Sequence, residues 1–344
     1  MGRRLLVTGG AGFIGSAFVR NHLRDLADDT VVVLDKLTYA GNRANLAPVE
    51  GDARYRFVHG DIADAALVAT LMPDVDVVVN FAAETHVDRS ILDAASFIET
   101  DVKGTYVLLE AARRVGVALF CQISTDEVYG EVAVGAACES DPLAPRSPYA
   151  ASKAGAELLV RAYHVTYELP TLITRASNNF GPYQYAEKFL PVLLLSALED
   201  RPIPLYGDGR QRRDWLYVDD HCAALELLLA RGEPGTAYNI GGGNECENRD
   251  LAERVLDILG KPRALIQSVP DRPGHDRRYA VDTARLRALG WQPAWSFETA
   301  LDTTVRWYVE HPDWWRPLRD ASYEDYYRRN YADRARLLEI SKES

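Results

Sequence analysis

A doubly wound α/β fold, with a smaller carboxyl-terminal α/β lobe, is the class this sequence predicts, from three observations. Short apolar runs recur along the first 130 residues; helical stretches separate them; and a glycine-rich turn joins the first run to the first helix. The runs are Leu5–Thr8, Val31–Leu34, Arg56–His59, Val75–Phe81 and Phe120–Ser124. Bounded by Gly, Asp or Asn, they fit strands buried on both faces of a parallel sheet. The intervening helices are expected at Ile14–Leu26, Ala65–Leu71 and Gly104–Val115, and such alternation builds a doubly wound sheet.

The first strand runs into Thr8-Gly9-Gly10-Ala11-Gly12-Phe13-Ile14-Gly15, which opens the first helix. Gly9, Gly12 and Gly15 allow a tight turn, close approach of a pyrophosphate and close helix packing, as in a Rossmann-type dinucleotide site. The phosphates meet unpaired N–H groups at the helix start. Asp35 ends the second strand, 20 residues beyond Gly15. A carboxylate there accepts from both ribose hydroxyls and repels a 2'-phosphate, so NAD is favoured over NADP. Asp61 follows the third strand, where a side chain can reach adenine.

The strand at Phe120–Ser124 leads to Ser124-Thr125, placed to hold a substrate hydroxyl, and then to Asp126-Glu127. A helix from about Pro148 to Tyr167 carries Tyr149 and Lys153 four apart, hence on one face. An ammonium beside a phenol lowers its pKa toward that of a useful general base. Two adjacent carboxyls can divide acid and base roles if their surroundings separate their pKa values. A strand at Thr171–Arg175 follows.

After Gly181 the rhythm breaks into shorter elements: Pro204–Tyr206, Tyr238–Gly241 and a helix near Asn248–Leu259. The expected division is a dinucleotide-binding domain over 1–180, rejoined by about 205–240, and a substrate lobe over 181–330. From Trp314 the chain is aromatic, expected as a docked helix, then charged, with a tail over 331–344.

Composition excludes several classes. The chain has 344 residues, 47% of them hydrophobic, with 39 Lys+Arg against 50 Asp+Glu and a charge of -11. That content supports a real core, and the charge disfavours nucleic acid, whose binding rests on phosphate neutralisation. No apolar run approaches the roughly 18 residues of a membrane span. Cys121, Cys138, Cys222 and Cys246 are scattered and read as free thiols of a reducing compartment. Met1-Gly2-Arg3-Arg4 runs straight into a strand, and Leu6 fails the myristoylation pattern, so the expectation is a cytoplasmic protein without a signal peptide. His86, His221 and His275 show no metal spacing, and no metal site is expected.

TGGAGFIG (8–15) and YAASK (149–153) together resemble the signatures of the extended short-chain dehydrogenase/reductase family. From Leu5 to about Trp315 the chain is most similar to its dTDP-glucose 4,6-dehydratase branch. The similarity lies in DKLTYAGN (35–42), AAETHVDRSI (82–91), STDEVYG (124–130), SNNFGPYQYAEK (177–188), RDWLYVDDH (213–221), YNIGGGNE (238–245) and DRPGHDRRYA (271–280). The resemblance implies a hydro-lyase that turns dTDP-glucose into the 4-keto-6-deoxy sugar. Hydride is transferred internally from C4 to C6 through tightly bound NAD, with elimination across C5 and C6. It implies that Tyr149, with Lys153, takes the C4 hydroxyl proton, that Glu127 takes the C5 proton, and that Asp126 protonates the leaving C6 oxygen beside Thr125.

For NAD the resemblance implies contacts at Gly9, Gly12, Phe13, Ile14, Gly15, Asp35, Lys36, Leu37, Thr38, Asp61, Ile62, Phe81, Ala82, Ala83, Thr100, Ser124, Tyr149, Lys153 and Asn179. For the nucleotide sugar it implies Thr85, Thr125, Asn178, Lys188, Phe189, Pro204, Tyr206, Arg213, Asn248, Asp271, Arg272 and His275. Arg213 and Arg272 are read as pyrophosphate clamps, because guanidinium forks match phosphate oxygens. A homodimer is implied, packed through helices beside the sheet; Ala150, Ala151, Ala154 and Gly155 permit close approach.

Three departures stand out: Tyr185-Ala186 replace the usual Phe-Pro before Glu187-Lys188, Phe180 stands where Tyr is common, and the 130–147 loop is short. An epimerase needs no acid–base pair at 126–127, and decarboxylases or GDP-mannose dehydratases typically keep the Glu without Asp126. A UDP-glucose dehydratase differs by one thymine methyl and stays open. A non-catalytic dinucleotide sensor predicts decay of Tyr149, Lys153, Asp126 or Glu127, and all four are present.

Overall fold

Why the early strands are so uniformly apolar is visible in the computed structural model, which describes residues 2–332. The first six strands are β1 (Arg4–Thr8), β2 (Thr30–Asp35), β3 (Tyr55–His59), β4 (Val77–Asn80), β5 (Leu119–Thr125) and β6 (Thr171–Ala176). Then come β7 (Asn178–Phe180), β8 (Ile203–Tyr206), β9 (Arg212–Tyr217), β10 (Thr236–Ile240), β11 (Glu245–Glu247) and β12 (Ile266–Val269). Seven of them form one sheet in the order β10-β6-β5-β4-β1-β2-β3, every neighbouring pair parallel. This is the doubly wound sheet the sequence predicts.

Successive side chains of a strand face opposite ways, and here both faces are covered. Leu5, Val7, Val31 and Val33 pack with Phe18 and Val19 of the Phe13–Asp25 helix and Leu225 of the Val218–Arg231 helix. Leu6, Leu34 and Val78 pack on the other side with Leu108 and Leu109 of the Thr105–Val115 helix and Val160 of the Pro148–Tyr167 helix. Each fully buried side chain of this kind contributes about 1.5–3 kcal/mol of transfer free energy. The chain runs β1 to β3 toward one edge and returns to β4 on the other side of β1. That reversal opens a crevice at the carboxyl ends of β1 and β4, where open α/β sheets bind ligands.

Beyond Gly181 the chain holds more than the expected short elements and the helix at Asn248–Leu259. Helices Phe189–Leu198, Val218–Arg231 and Phe297–Glu310 lie there. Eight of the ten residues of Phe189–Leu198 are buried, so no polar stripe marks its period. The second helix did carry signals: Asp219 and Asp220 in its first turn and Arg231 in its last suit the helix dipole. Phe189–Leu198, Asn248–Leu259 and Phe297–Glu310 share a separate core with Trp215 and Trp315. Two small sheets, β11-β9-β7 and β12-β8, complete that part. The Val218–Arg231 helix packs on Phe13–Asp25, and β10 extends the large sheet beside β6.

The aromatic segment docks as a short helix, Pro312–Trp315, and a second, Ala321–Tyr327, that runs straight on into a π-helical stretch, Arg328–Ala332. The Tyr326 hydroxyl lies 3.0 Å from His86 Nδ1 and so ties it to the cleft wall. From residue 333 the expected charged tail lies outside the described residues.

Candidate active site

The glycine turn shapes one end of the crevice. Gly9 has φ +66°, and a Cβ there would stand 2.6 Å from the Ala82 backbone nitrogen; one at Gly15 would stand 2.4 Å from the Gly9 oxygen. Strand, turn and helix therefore approach as closely as a bound pyrophosphate demands. Asp35 fastens the turn: its carboxylate accepts from Ala11 N–H and Leu37 N–H, each at 2.8 Å. Its pKa is raised by burial, and those two N–H groups counter the rise. Lys36 reaches Asp61 at 2.7 Å along the rim.

All but one of the expected cofactor residues line a single cleft. The exception is Leu37, a correction: its side chain packs on the core while its N–H serves Asp35. The cleft encloses about 1540 Å³ including its open mouth. Ser124 Oγ, Asn178 Oδ1 and Asp126 Oδ2 on its wall are buried without hydrogen-bond partners among the described residues. With the bare glycine floor, these residues fit a dinucleotide and a second polar ligand.

β5 delivers the reactive groups. It ends at Thr125, which caps the short turn Asp126–Tyr129: Thr125 Oγ accepts from Glu127 N–H at 3.3 Å and donates to Asp126 Oδ1 at 3.2 Å. The Pro148–Tyr167 helix starts at Ser147, whose hydroxyl accepts from Ala150 N–H. It turns Tyr149 and Lys153 inward, both buried. The Lys153 ammonium donates to the Ile123 carbonyl at 2.7 Å. Burial, then Glu127 and Asp101, hold Tyr149 well above its ordinary pKa; the Thr125 hydroxyl alone pulls it down. Lys153 is itself lowered by burial, with Asp101 and Glu157 opposing.

The two carboxyls beside them diverge. Burial, reinforced by the neighbouring Glu127 charge, pushes Asp126 up to about 8. Glu127 is raised too, by burial, but Arg272, Arg213 and Lys188 all oppose the rise. At neutral pH this favours the protonated form of Asp126, while the three cations favour the ionised form of Glu127.

The expected sugar-side residues fall into two groups. Thr85, Thr125, Asn178 and Lys188 line the cleft, and Lys188 Nζ donates to the Thr85 carbonyl. Phe189, Pro204, Tyr206, Arg213, Asn248, Asp271, Arg272 and His275 do not line it; they form or adjoin a neighbouring cluster. There His275 Nδ1 meets Asp271 at 2.5 Å, and the Tyr206 and His275 rings lie 5.8 Å apart. Pro204 is buried within β8, and the Phe189 ring lies 6.3 Å from Trp215. Arg213 spends donors on the carbonyls of Arg212 and Asp276, and Arg272 lies 3.8 Å from Asp88. Both cations act on Glu127, so the groups are joined electrically.

Glu84, Gln184, Tyr185 and His221 also line the cleft and were not expected there. Tyr279 Oη stands 3.5 Å from Glu127 Oε2 and 2.7 Å from Asp276 Oδ2. Asp101, in a π-helical turn at Ile98–Gly104, accepts from Ser152 Oγ at 2.6 Å and Glu84 N–H at 2.8 Å. A π-turn shifts register by one residue, which no hydrophobic pattern announces.

A family model described as GDP-mannose 4,6 dehydratase matches residues 6–304. The low-salt glycan biosynthesis protein Agl12 of Haloferax volcanii is 54% identical, over 89% of this chain and 98% of its own. A dTDP-glucose 4,6-dehydratase of Streptomyces niveus is 50% identical, over 92% and 96%. The crystal structure of DesIV, a dTDP-glucose 4,6-dehydratase from Streptomyces venezuelae with NAD and dTDP bound, superposes with a TM-score of 0.90. It is 54% identical, over 92% of this chain and 99% of its own.

Proposed function

Because the chain belongs to the GDP-mannose 4,6 dehydratase family, we propose that it acts within that family as an NAD-dependent dTDP-glucose 4,6-dehydratase. One observation carries the reading: adjacent carboxyls, Asp126 buried and pushed up to about 8, and Glu127 half-buried and faced by three cations. Elimination of water needs such an acid and base side by side.

NAD, once bound at the glycine turn, would take the hydride leaving C4 and return it to C6 after water has left, and its cationic ring would offset the desolvation of the phenol. Tyr149, beside Thr125 and ionised once that cationic ring is in place, takes the proton of the C4 hydroxyl. Lys153, anchored on Ile123, holds positive charge below it. Once C4 is a ketone, the C5 proton is acidic and Glu127 removes it. Asp126 gives its proton to the departing C6 oxygen, so water leaves rather than hydroxide, and the proton held by Glu127 goes back to C5 as C6 is reduced. Arg213, Arg272 and Lys188 bring positive charge to the side of Glu127 that the nucleotide diphosphate approaches.

Incubation with dTDP-glucose is expected to yield a 4-keto-6-deoxy product without added reductant, detected by its alkali-dependent absorbance or by mass loss of one water. No product with NAD supplied would sink the proposal. Because Asp126 must be protonated, turnover is expected to hold below pH 8 and fall as pH rises through about 8. A flat profile well beyond that range, read from kcat, would contradict the acid role.

We further propose a cytoplasmic homodimer. No helix among the described residues is long and apolar enough to cross a membrane. Ile98, Tyr106 and Leu158 are exposed at 54%, 49% and 57% on the elements flanking one face of the sheet. Sedimentation should give twice the chain mass, and Leu158→Glu should shift it toward the monomer; a monomer at micromolar wild-type protein would refute this.

A further inference from the structure

His221 has no task in the reaction above. It stands in the first turn of the Val218–Arg231 helix, fully shielded from solvent, and lines the cleft. Its Nδ1 lies 2.8 Å from Asn179 Oδ1. The Asn179 amide is oriented from its other end, where Nδ2 donates to the Ser177 carbonyl at 2.9 Å. An amide oxygen only accepts, so Nδ1 carries the ring proton and Nε2 is a bare acceptor. Burial pushes the imidazole pKa down to about 3, so the ring is neutral at physiological pH.

Nε2 is buried and has no hydrogen-bond partner among the described residues. A buried unpaired acceptor is costly, and the cost is relieved only by a donor arriving from the cleft. Asp35 ends β2, and Asn179 lies just past β6, on the opposite side of the β1–β4 crevice. With the adenosine ribose at Asp35 and the diphosphate at the glycine turn, the nicotinamide end falls on the Asn179 side.

We propose that His221 is a cofactor-binding residue whose Nε2 accepts a hydrogen bond from the carboxamide NH2 of nicotinamide, while its Nδ1–H keeps the Asn179 amide in register. This rests on the NAD-dependent reading.

The test sets NAD against 3-acetylpyridine adenine dinucleotide, whose acetyl group has no N–H to donate. The two compete at equilibrium for the full chain, and the dinucleotides recovered with the protein are measured. Wild type should prefer NAD about tenfold, the equivalent of one hydrogen bond of ~1.4 kcal/mol. In His221→Phe the ratio should fall toward one. His221→Gln, which keeps an acceptor, should retain part of it. No preference in wild type overturns the assignment even if the variants fail to fold; so does an unchanged ratio in His221→Phe. Binding of neither dinucleotide by wild type overturns the NAD-dependent reading itself and the His221 assignment with it.

Discussion

Glu127→Gln is expected to lower turnover by about 10²–10⁴-fold, the usual worth of a positioned general base. Affinity for dTDP-glucose should stay within a few-fold. The amide matches the carboxylate in shape but cannot take the C5 proton. Oxidation at C4 does not need Glu127, so the absorbance of reduced nicotinamide should rise and persist instead of decaying. A second readout follows from the Coulomb field. The Glu127 charge is among the causes that raise Asp126, so removing it should move the alkaline limb of the rate profile to lower pH. Unchanged turnover, or an unmoved limb, would exclude Glu127 as the base.

Tyr149→Phe should fail one step earlier, with turnover down by at least about 10² and no reduced-nicotinamide absorbance at any time. The ring packs edge-on against Phe97 at 6.2 Å, a contact the substitution keeps, so folding should be spared. The buried phenol lies far above its ordinary pKa without ligands; losing its hydroxyl removes no charge from the free protein. A normal absorbance transient in this variant would show that another group accepts the C4 proton. The two variants together separate oxidation from elimination, since one is dark and the other accumulates signal.

Much of the site is legible before folding because its information is local. Gly9, Gly12 and Gly15 encode a turn whose constraints lie within eight residues, and Asp35 follows at the end of the next strand. Tyr149 and Lys153 share a face by helical period alone. The polar residues of other walls are different. Asp101 meets Ser152 from 51 residues away, and Tyr279 reaches Glu127 across 152. Tyr279 and His221 stand within the similar segments 271–280 and 213–221, but nothing local to those segments puts one beside Glu127 or the other on the cleft wall. The Phe189–Leu198 helix was missed for the converse reason: buried on nearly every side, it has no amphipathic period to read.

Sequence alone determined the sheet and the dinucleotide turn and marked the candidate reacting groups, since each depends on a pattern within one or two elements. Tertiary structure decided the charge states. The sequence places Lys153 near Tyr149, yet the folded chain turns that ammonium to Ile123 and leaves the phenol raised by burial. It places Asp126 and Glu127 side by side as equals; in the folded chain burial raises both, the Glu127 charge adds to the rise at Asp126, and Arg272 and Lys188 from distant segments oppose it at Glu127. A pKa is a sum over every charge and dipole within reach and over the water excluded, so it has no local sequence signature.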